Sequence, residues 1–389
     1  MNKIKSIVSI VAVAFLIYIF TFYVDGEMGV ILIAFLIAAP LFSLAFMLVG
    51  RNRISVDINC DGFVKKGSSL EVKVTVRKEG KLPLAFAEIV LSASEVFEKP
   101  KKTYRLSMIS DTEQSFTVKI PAIVGGNGEV SVSSVSSAGF FGFMKLNAKN
   151  PLPEPKSVGV IPEIPEIKAS SQLFRSIADL VMTSDEEEDK DTSMLISSNT
   201  MPGYEHREYV SGDPLKRINW KLSAKRDMLM VRLDEAASSV QPLLLLDIYR
   251  KTGSDMAGSV RKEEKLITSV FGLLTLLVKQ GIACSFSYYS ADGTLTVETV
   301  DSPEYPQQLL LKILAVKVAY DKRIALPQQN TGACACVIGT TDTGGSFPDI
   351  AKKAGDPESV SIIGVSRESG NPTELPMWYL DEDNTFKRV

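Results

Sequence analysis

VQPLLLLDIY (Val240–Tyr249) is the stretch on which the reading of the fold turns. Four successive leucines between polar ends make a short, unbroken apolar run, as expected of a strand covered on both faces. The next apolar segment, RKEEKLITSVFGLLTLLVKQG (261–281), has helical spacing and closes on Gly281. IACSFSYYS (282–290) and LTVETV (295–300) follow as strands, and SPEYPQQLLLKILAVKV (302–318) as a helix. ACACVIGT (333–340) and SVSIIGV (359–365) are two more apolar strands, with a short helix, FPDIAKKAG (347–355), between them. Strands alternating with helices predict a largely parallel, doubly wound α/β domain over 236–389.

Upstream the period is shorter. ISVDIN, SLEVKVTV, AFAEIVLS, KTYRLSM, QSFTVKIPA and GEVSVSSVSS, all within 54–150, alternate or run β-branched residues between Gly, Pro, Asn and Lys turns. This spacing predicts a β-sandwich-like domain. The Pro-rich NPLPEPKSVGVIPEIPEI (150–167) is expected to be an extended connector. A helix candidate, SSQLFRSIADLVM (170–182), then leads into SDEEEDKD (184–191), which reads as a solvated acidic loop. Connector and acidic loop together occupy 151–200.

The N-terminus supplies much of the 45% hydrophobic content. Ser6–Val24 and Met28–Val49 are charge-free, and each approaches the roughly 20 residues that cross a hydrocarbon core. Only Asp25–Glu27 separates them, which predicts a transmembrane helical hairpin over 1–53. A cleavable leader fits less well, since no small-residue cleavage site follows the first run and a second span comes at once. Lys3 and Lys5 precede the pair, Arg51 and Arg53 follow it, and the turn has no Lys or Arg. The positive-inside rule then places both termini and the soluble domains in the cytoplasm of a two-pass protein of the cell membrane.

Between the two soluble parts lies GDPLKRINWKLSAKRDMLMVR (212–232), six basic side chains around one Trp. Asp213 and Pro214 read as an N-cap and first helical residue. Leu215, Ile218 and Leu222 would share one helical face, and Arg217, Lys221 and Lys225 another. LMVRL (229–233) reads as a strand. Three readings stand open: a solvated basic face, a docking face for an acidic partner or for the acidic loop, and a nucleic-acid surface. The last is the weakest, because Trp220 is alone and the net charge is −3. Trp220 is expected to pack under the helix, with Glu208 or Asp213 pairing with a nearby Arg. The stretch therefore reads as a cation-bearing platform joining two domains.

The residues of 207–232 resemble the signature of a bacterial family called "domain of unknown function 58". The matching positions are Arg207, Glu208, Tyr209, Gly212, Asp213, Lys216, Arg217, Ile218, Trp220, Ser223, Ala224, Arg226, Val231 and Arg232. Asn219 stands where the family usually has Asp, which weakens any general-base role there. The resemblance implies two N-terminal spans, a β-rich domain, the signature segment (201–235) and a von Willebrand factor A-like α/β domain. The resulting fold class is α+β multidomain. It also implies association with AAA+ ATPases of the MoxR type and with transglutaminase-like membrane proteins, in assembly or maturation of other complexes.

Signals for chemistry are sparse. A von Willebrand A-like domain often holds Mg²⁺ through Asp-x-Ser-x-Ser after its first strand. Here Asp247 keeps the first position, but Tyr249 and Lys251 replace the serines, and Lys251 would bring a positive charge toward the ion. Asp342 in GTTDTGG (339–345) is a second acidic position at a strand end. Two scattered carboxylates fall short of a metal site, so no cofactor is expected. GTTDTGG lacks the Lys of a phosphate-binding loop, and the lone His206 has no nucleophile assignable to it. Cys60, Cys284, Cys334 and Cys336 read as structural thiols. The expectation is a membrane-anchored, non-enzymatic scaffold that docks a MoxR-like ATPase through Arg217, Lys221 and Lys225. The alternative is a Mg-dependent ligand-binding or enzymatic module using Asp247 and Asp342.

Overall fold

Four hydrophobic residues of one strand, Leu70, Val72, Val74 and Val76, are buried at every second position, and this alternation organises the N-terminal half. The computed structural model describes residues 2–389 except 24–25, 81–83, 101–102, 110, 140–144, 192–199, 210–217, 227, 237–240, 252, 254, 291, 317–320, 328–333, 344–346, 348–349, 351–358 and 366–374. The chain divides into two compact units. The first comprises Met1–Glu163, Gly253–Glu264 and Leu310–Lys317; the second comprises Ile164–Thr252, Lys265–Leu309 and Val318–Val389.

The first unit opens with helices α1 (Asn2–Tyr23) and α2 (Gly26–Gly50). They pack closely at Gly29, where any Cβ would collide with Thr21. Glu27–Gly50, 24 residues with an 18-residue stretch of mean hydropathy 2.7, is long and apolar enough to cross a membrane; α1 contributes the shorter apolar stretch Val11–Phe22. Nine strands follow: β1 (Ile54–Cys60), β2 (Phe63–Lys65), β3 (Ser69–Lys78), β4 (Leu84–Ala93), β5 (Tyr104–Met108), β6 (Glu113–Pro121), β7 (Gly126–Ala138), β8 (Lys145–Asn147) and β9 (Lys156–Ile161). One sheet has the order β1-β3-β6 and the other β2-β9-β7-β4-β5, with β8 paired to β7. Ile58, Val74 and Ile120 from the first sheet join Ile89, Val130 and Val160 from the second in one buried core. Two sheets sharing a core make a β-sandwich.

The Pro-rich run was expected to be a connector, but its middle, Lys156–Ile161, is β9, antiparallel to β7 and parallel to β2. Its prolines lie outside those six residues, so every amide needed for pairing is present. On β4, Glu88 is buried and accepts from Arg105 Nε (3.0 Å) and Nη2 (2.6 Å), and from Lys145 Nζ on β8. Burial pushes this carboxyl up, but the hydrogen bonds and charges of Lys145 and Arg105 outweigh it and hold Glu88 below the usual carboxylate range.

The second unit begins with α3 (Gln172–Asp191). The acidic run 184–191, expected as a loop, continues this helix. Glu is a good helix former, and three successive Glu stand at 186–188. Strands β10 (Thr200–Glu208) and β11 (Met230–Ala236), with α4 (Trp220–Arg226) between them, form a small two-stranded sheet. A seven-stranded sheet follows, built from β12 (Leu243–Asp247), β13 (Cys284–Tyr289), β14 (Leu295–Val300), β15 (Cys336–Thr340), β16 (Val360–Ile363), β17 (Met377–Leu380) and β18 (Phe386–Arg388). Their order is β14-β13-β12-β15-β16-β17-β18.

The five strands from β13 to β17 are mutually parallel, and an antiparallel strand closes each edge. Helix α5 (Met256–Lys279) lies between β12 and β13 in the chain, and α6 (Tyr305–Ala315) between β14 and β15. Gly281, at φ +80°, ends α5, with Ile282 N–H donating to Leu277 O (3.0 Å). Gly339 on β15 lets α5 approach closely, since a Cβ there would collide with Val270.

Candidate functional site

The first candidate lies where β12 and β15 run side by side. The chain leaves β12 toward β13 on one flank and resumes at β15 on the other, so their carboxyl ends form a topological switch point, the usual ligand crevice of open parallel sheets. Asp247 ends β12 and Thr340 ends β15. The Asp247 side chain is fully buried, yet each oxygen is satisfied. Ile324 N–H donates to Oδ1 (2.9 Å), while Thr340 Oγ1 (2.9 Å) and Arg323 Nη1 (3.1 Å) donate to Oδ2.

Arg323 also donates through Nη1 to Asp342 O (2.7 Å) and through Nη2 to Asp342 Oδ2 (2.5 Å). Its guanidinium lies 4.1 Å from the Tyr249 ring centroid and 5.9 Å from that of Phe347. Burial and the nearby Asp247 carboxylate push the Tyr289 phenol up. The structure therefore brings Asp247 and Asp342 together, 95 positions apart in sequence, around an internal cation. A divalent ion needs several hard oxygens facing open space. Arg323 engages both carboxylates, so the residues present do not fit an ion. The cation near these acids is Arg323, whereas Lys251, expected in that role, is exposed.

The second candidate is the basic segment. Residues 210–217, including Gly212, Asp213, Lys216 and Arg217, lie outside the described residues. The helix begins later than expected: Asn219 is the N-cap of α4, its Oδ1 accepting from Leu222 N–H (3.2 Å) and its carbonyl from Ser223 N–H (2.9 Å). Ile218 precedes the helix and forms a β-bridge with Val231, so it shares no helical face with Leu222. An Asn N-cap preceded by an extended Ile is a sufficient start signal for this helix. An Asp at this position would cap equally well.

Ser223 is buried and ties α4 to β11, donating to Asn219 O (2.9 Å) and accepting from Met230 N–H (2.8 Å). On β10 and β11, Arg207 pairs in register with Val231, His206 with Arg232 and Glu208 with Met230. Tyr209 N–H donates to Leu229 O (2.8 Å) and its side chain is half-buried, while Glu208 is exposed. Trp220, expected to pack under the helix, is instead 64% exposed. It is the first residue of α4, at the exposed N-terminal end of the helix. Lys221, Lys225 and Arg226 are exposed beside it, as are Met228 and Leu229. Lys221 and Lys225 stand one turn apart.

The cysteines offer little reactivity. Burial pushes the Cys284 and Cys336 thiols up to about 12, and the Cys60 thiol is raised as well. Cys334 precedes β15 and is half-buried.

A mixed α/β chain with an N-terminal apolar helix, a β-sandwich and a basic hairpin attached to a parallel sheet is the class that these features define. Residues 205–329 match the family model described as "Protein of unknown function DUF58". The match bears out the resemblance read from 207–232. Two solved structures are similar to part of the chain. The CARDB domain of the PF1109 protein from Pyrococcus furiosus is 17% identical over 28% of this chain and 94% of that one, with a TM-score of 0.23. A cohesin module of a family 33 glycoside hydrolase from Clostridium perfringens is 15% identical over 29% and 99%, with a TM-score of 0.24. No curated protein matches the chain.

Proposed function

We propose that this is a membrane-anchored, non-enzymatic interaction protein whose DUF58 domain docks an AAA+ ATPase of the MoxR type. In this reading α1 and α2 form a two-pass anchor with both termini in the cytoplasm, following the cationic flanks Lys3, Lys5, Arg51 and Arg53. The parallel sheet belongs to a von Willebrand A-like domain, with Asp247 at the end of β12 as its reference position. A transglutaminase-like membrane protein is a second partner of the same assembly.

The observation that carries the docking role is the exposure of Trp220, Lys221 and Lys225 together on the short helix α4. An exposed aromatic flanked by cations suits recognition of an acidic protein surface, because Trp and cationic side chains supply anchoring area and steering charge. The Mg-dependent alternative needs Asp247 and Asp342 turned toward an ion, and the Arg323 contacts stand against it.

The test is affinity purification of the full-length protein from gently solubilised native membranes, with mass spectrometry of the co-purified proteins. A MoxR-type ATPase recovered with the wild type and lost with Lys221→Glu/Lys225→Glu supports the reading. Equal recovery with a folded charge-reversed variant overturns the role of α4. Absence of any AAA+ ATPase from the wild-type sample overturns the partner.

A further inference from the structure

The last turns of α2 are buried on one side only. Ser43, Met47 and Gly50, at i, i+4 and i+7, are covered, whereas Leu48 and Val49 remain 43% and 41% exposed. What covers them is one end of the β-sandwich. Met47 packs beside Leu84, at the start of β4, and Ala138, at the end of β7. The approach is close: a Cβ on Gly139 would come 2.7 Å from Ser43 Oγ, and one on Gly50 would come 2.6 Å from Leu84 Cδ1. The helix is thus seated directly on the sandwich.

Helix length then fixes the level of that seat. The 24 residues of Glu27–Gly50 rise about 36 Å, against a hydrocarbon core of about 30 Å. With the Glu27 carboxylate kept in the far headgroup layer, the near edge of the hydrocarbon falls close to Met47. Leu84, Ala138 and Gly139 then lie at the headgroup boundary.

Ile109 stands at the same end. It follows Met108, which pairs with Leu84 across β4 and β5, and it is 55% exposed. Its position is well held, because the buried Lys78 donates through Nζ to Met108 O (2.7 Å) and Ile109 O (3.4 Å). Arg51 and Arg53, both half-buried, follow α2 directly and bring cationic charge to this end of the sandwich. The opposite end carries its own exposed isoleucine, Ile123 (47%), between β6 and β7. The 13 residues of β7 separate the two ends by about 40 Å.

We infer that the end of the β-sandwich around Ile109 and Gly139 rests in the phospholipid headgroup layer, with Ile109 inserted at the edge of the hydrocarbon. The inference rests on α2 crossing the membrane. It makes the first unit a fixed pedestal on the bilayer surface, with its sandwich axis running away from the membrane.

The experiment places single tryptophans in the full-length protein, reconstituted in phosphatidylcholine nanodiscs with or without brominated acyl chains, and subtracts the emission of the parent. Phe35→Trp, on the exposed side of mid-α2, reports the anchor; Ile109→Trp reports the seat; Ile123→Trp is the distant control. The expected result is loss of the added emission in brominated lipid for Phe35→Trp and Ile109→Trp, with a blue shift for both and no loss for Ile123→Trp. Quenching of Phe35→Trp with Ile109→Trp no more quenched than Ile123→Trp overturns the seat and leaves the anchor standing. An unquenched Phe35→Trp overturns the anchor, and the seat falls with it.

Discussion

Arg323 contacts two carboxylates that sequence spacing does not connect, and its removal is expected to be costly. Asp247 is fully buried, so truncating its cationic partner leaves an uncompensated charge. Arg323→Ala should therefore lower stability by about 3 kcal/mol, the low end for a broken buried pair, since Ile324 N–H and Thr340 Oγ1 still serve Asp247. Chemical denaturation of the detergent-solubilised protein measures this, and adding Asp247→Asn should restore part of the loss. A variant as stable as wild type would contradict the account. Asn219→Ala should cost about 1 kcal/mol by loss of the α4 cap, whereas Asn219→Asp should cost nothing measurable. Asp247 and Asp342 were visible in the sequence as strand-end acids. Arg323 was not, because it lies in an irregular segment 76 residues from Asp247 and no periodicity links them. Trp220 was misplaced because Ile218, read as helical, is an extended residue before the cap and so does not mark the buried face of α4.

Among elements, those with strong periodicity were legible. The apolar run of β12, the helix ending at Gly281 and the alternation in β3 each fold as their spacing predicts. Elements whose residues argue for something else were not. β9 lies among prolines, and the second half of α3 is an acidic run that resembles a solvated loop. Short β2, β8 and β18, of three residues each, owe their existence to neighbours rather than to local pattern. The pairing of β4, β5 and β8 carries a pH dependence through Glu88. Its folded carboxyl is held below the ordinary value of about 4.3 by Lys145 and Arg105, despite burial. Its contribution is thus complete above that value and lost as pH falls through the lower folded value. Glu88→Gln should flatten the acid limb of a pH–stability profile for the first unit, and an unchanged acid limb would count against this role.

For the whole molecule, the sequence conveyed the succession of an apolar N-terminus, a β-rich part and an α/β part, because each has its own hydrophobic period. The compact units cut across that succession, since Gly253–Glu264 and Leu310–Lys317 belong to the first unit, and local sequence pattern carries no trace of such long-range membership. The DUF58 match covers 205–329 and so spans both the basic hairpin and the first half of the parallel sheet. The central proposal is that this region docks a MoxR-type ATPase through the exposed residues of α4. The measurement that tests it most directly is the affinity of a purified MoxR-type ATPase for the nanodisc-embedded protein, wild type against Lys221→Glu/Lys225→Glu. These exposed side chains should leave stability within about 0.5 kcal/mol of wild type. The account predicts saturable binding that weakens with salt and is lost on charge reversal. Undiminished binding by the reversed variant, with its fold intact, would contradict it.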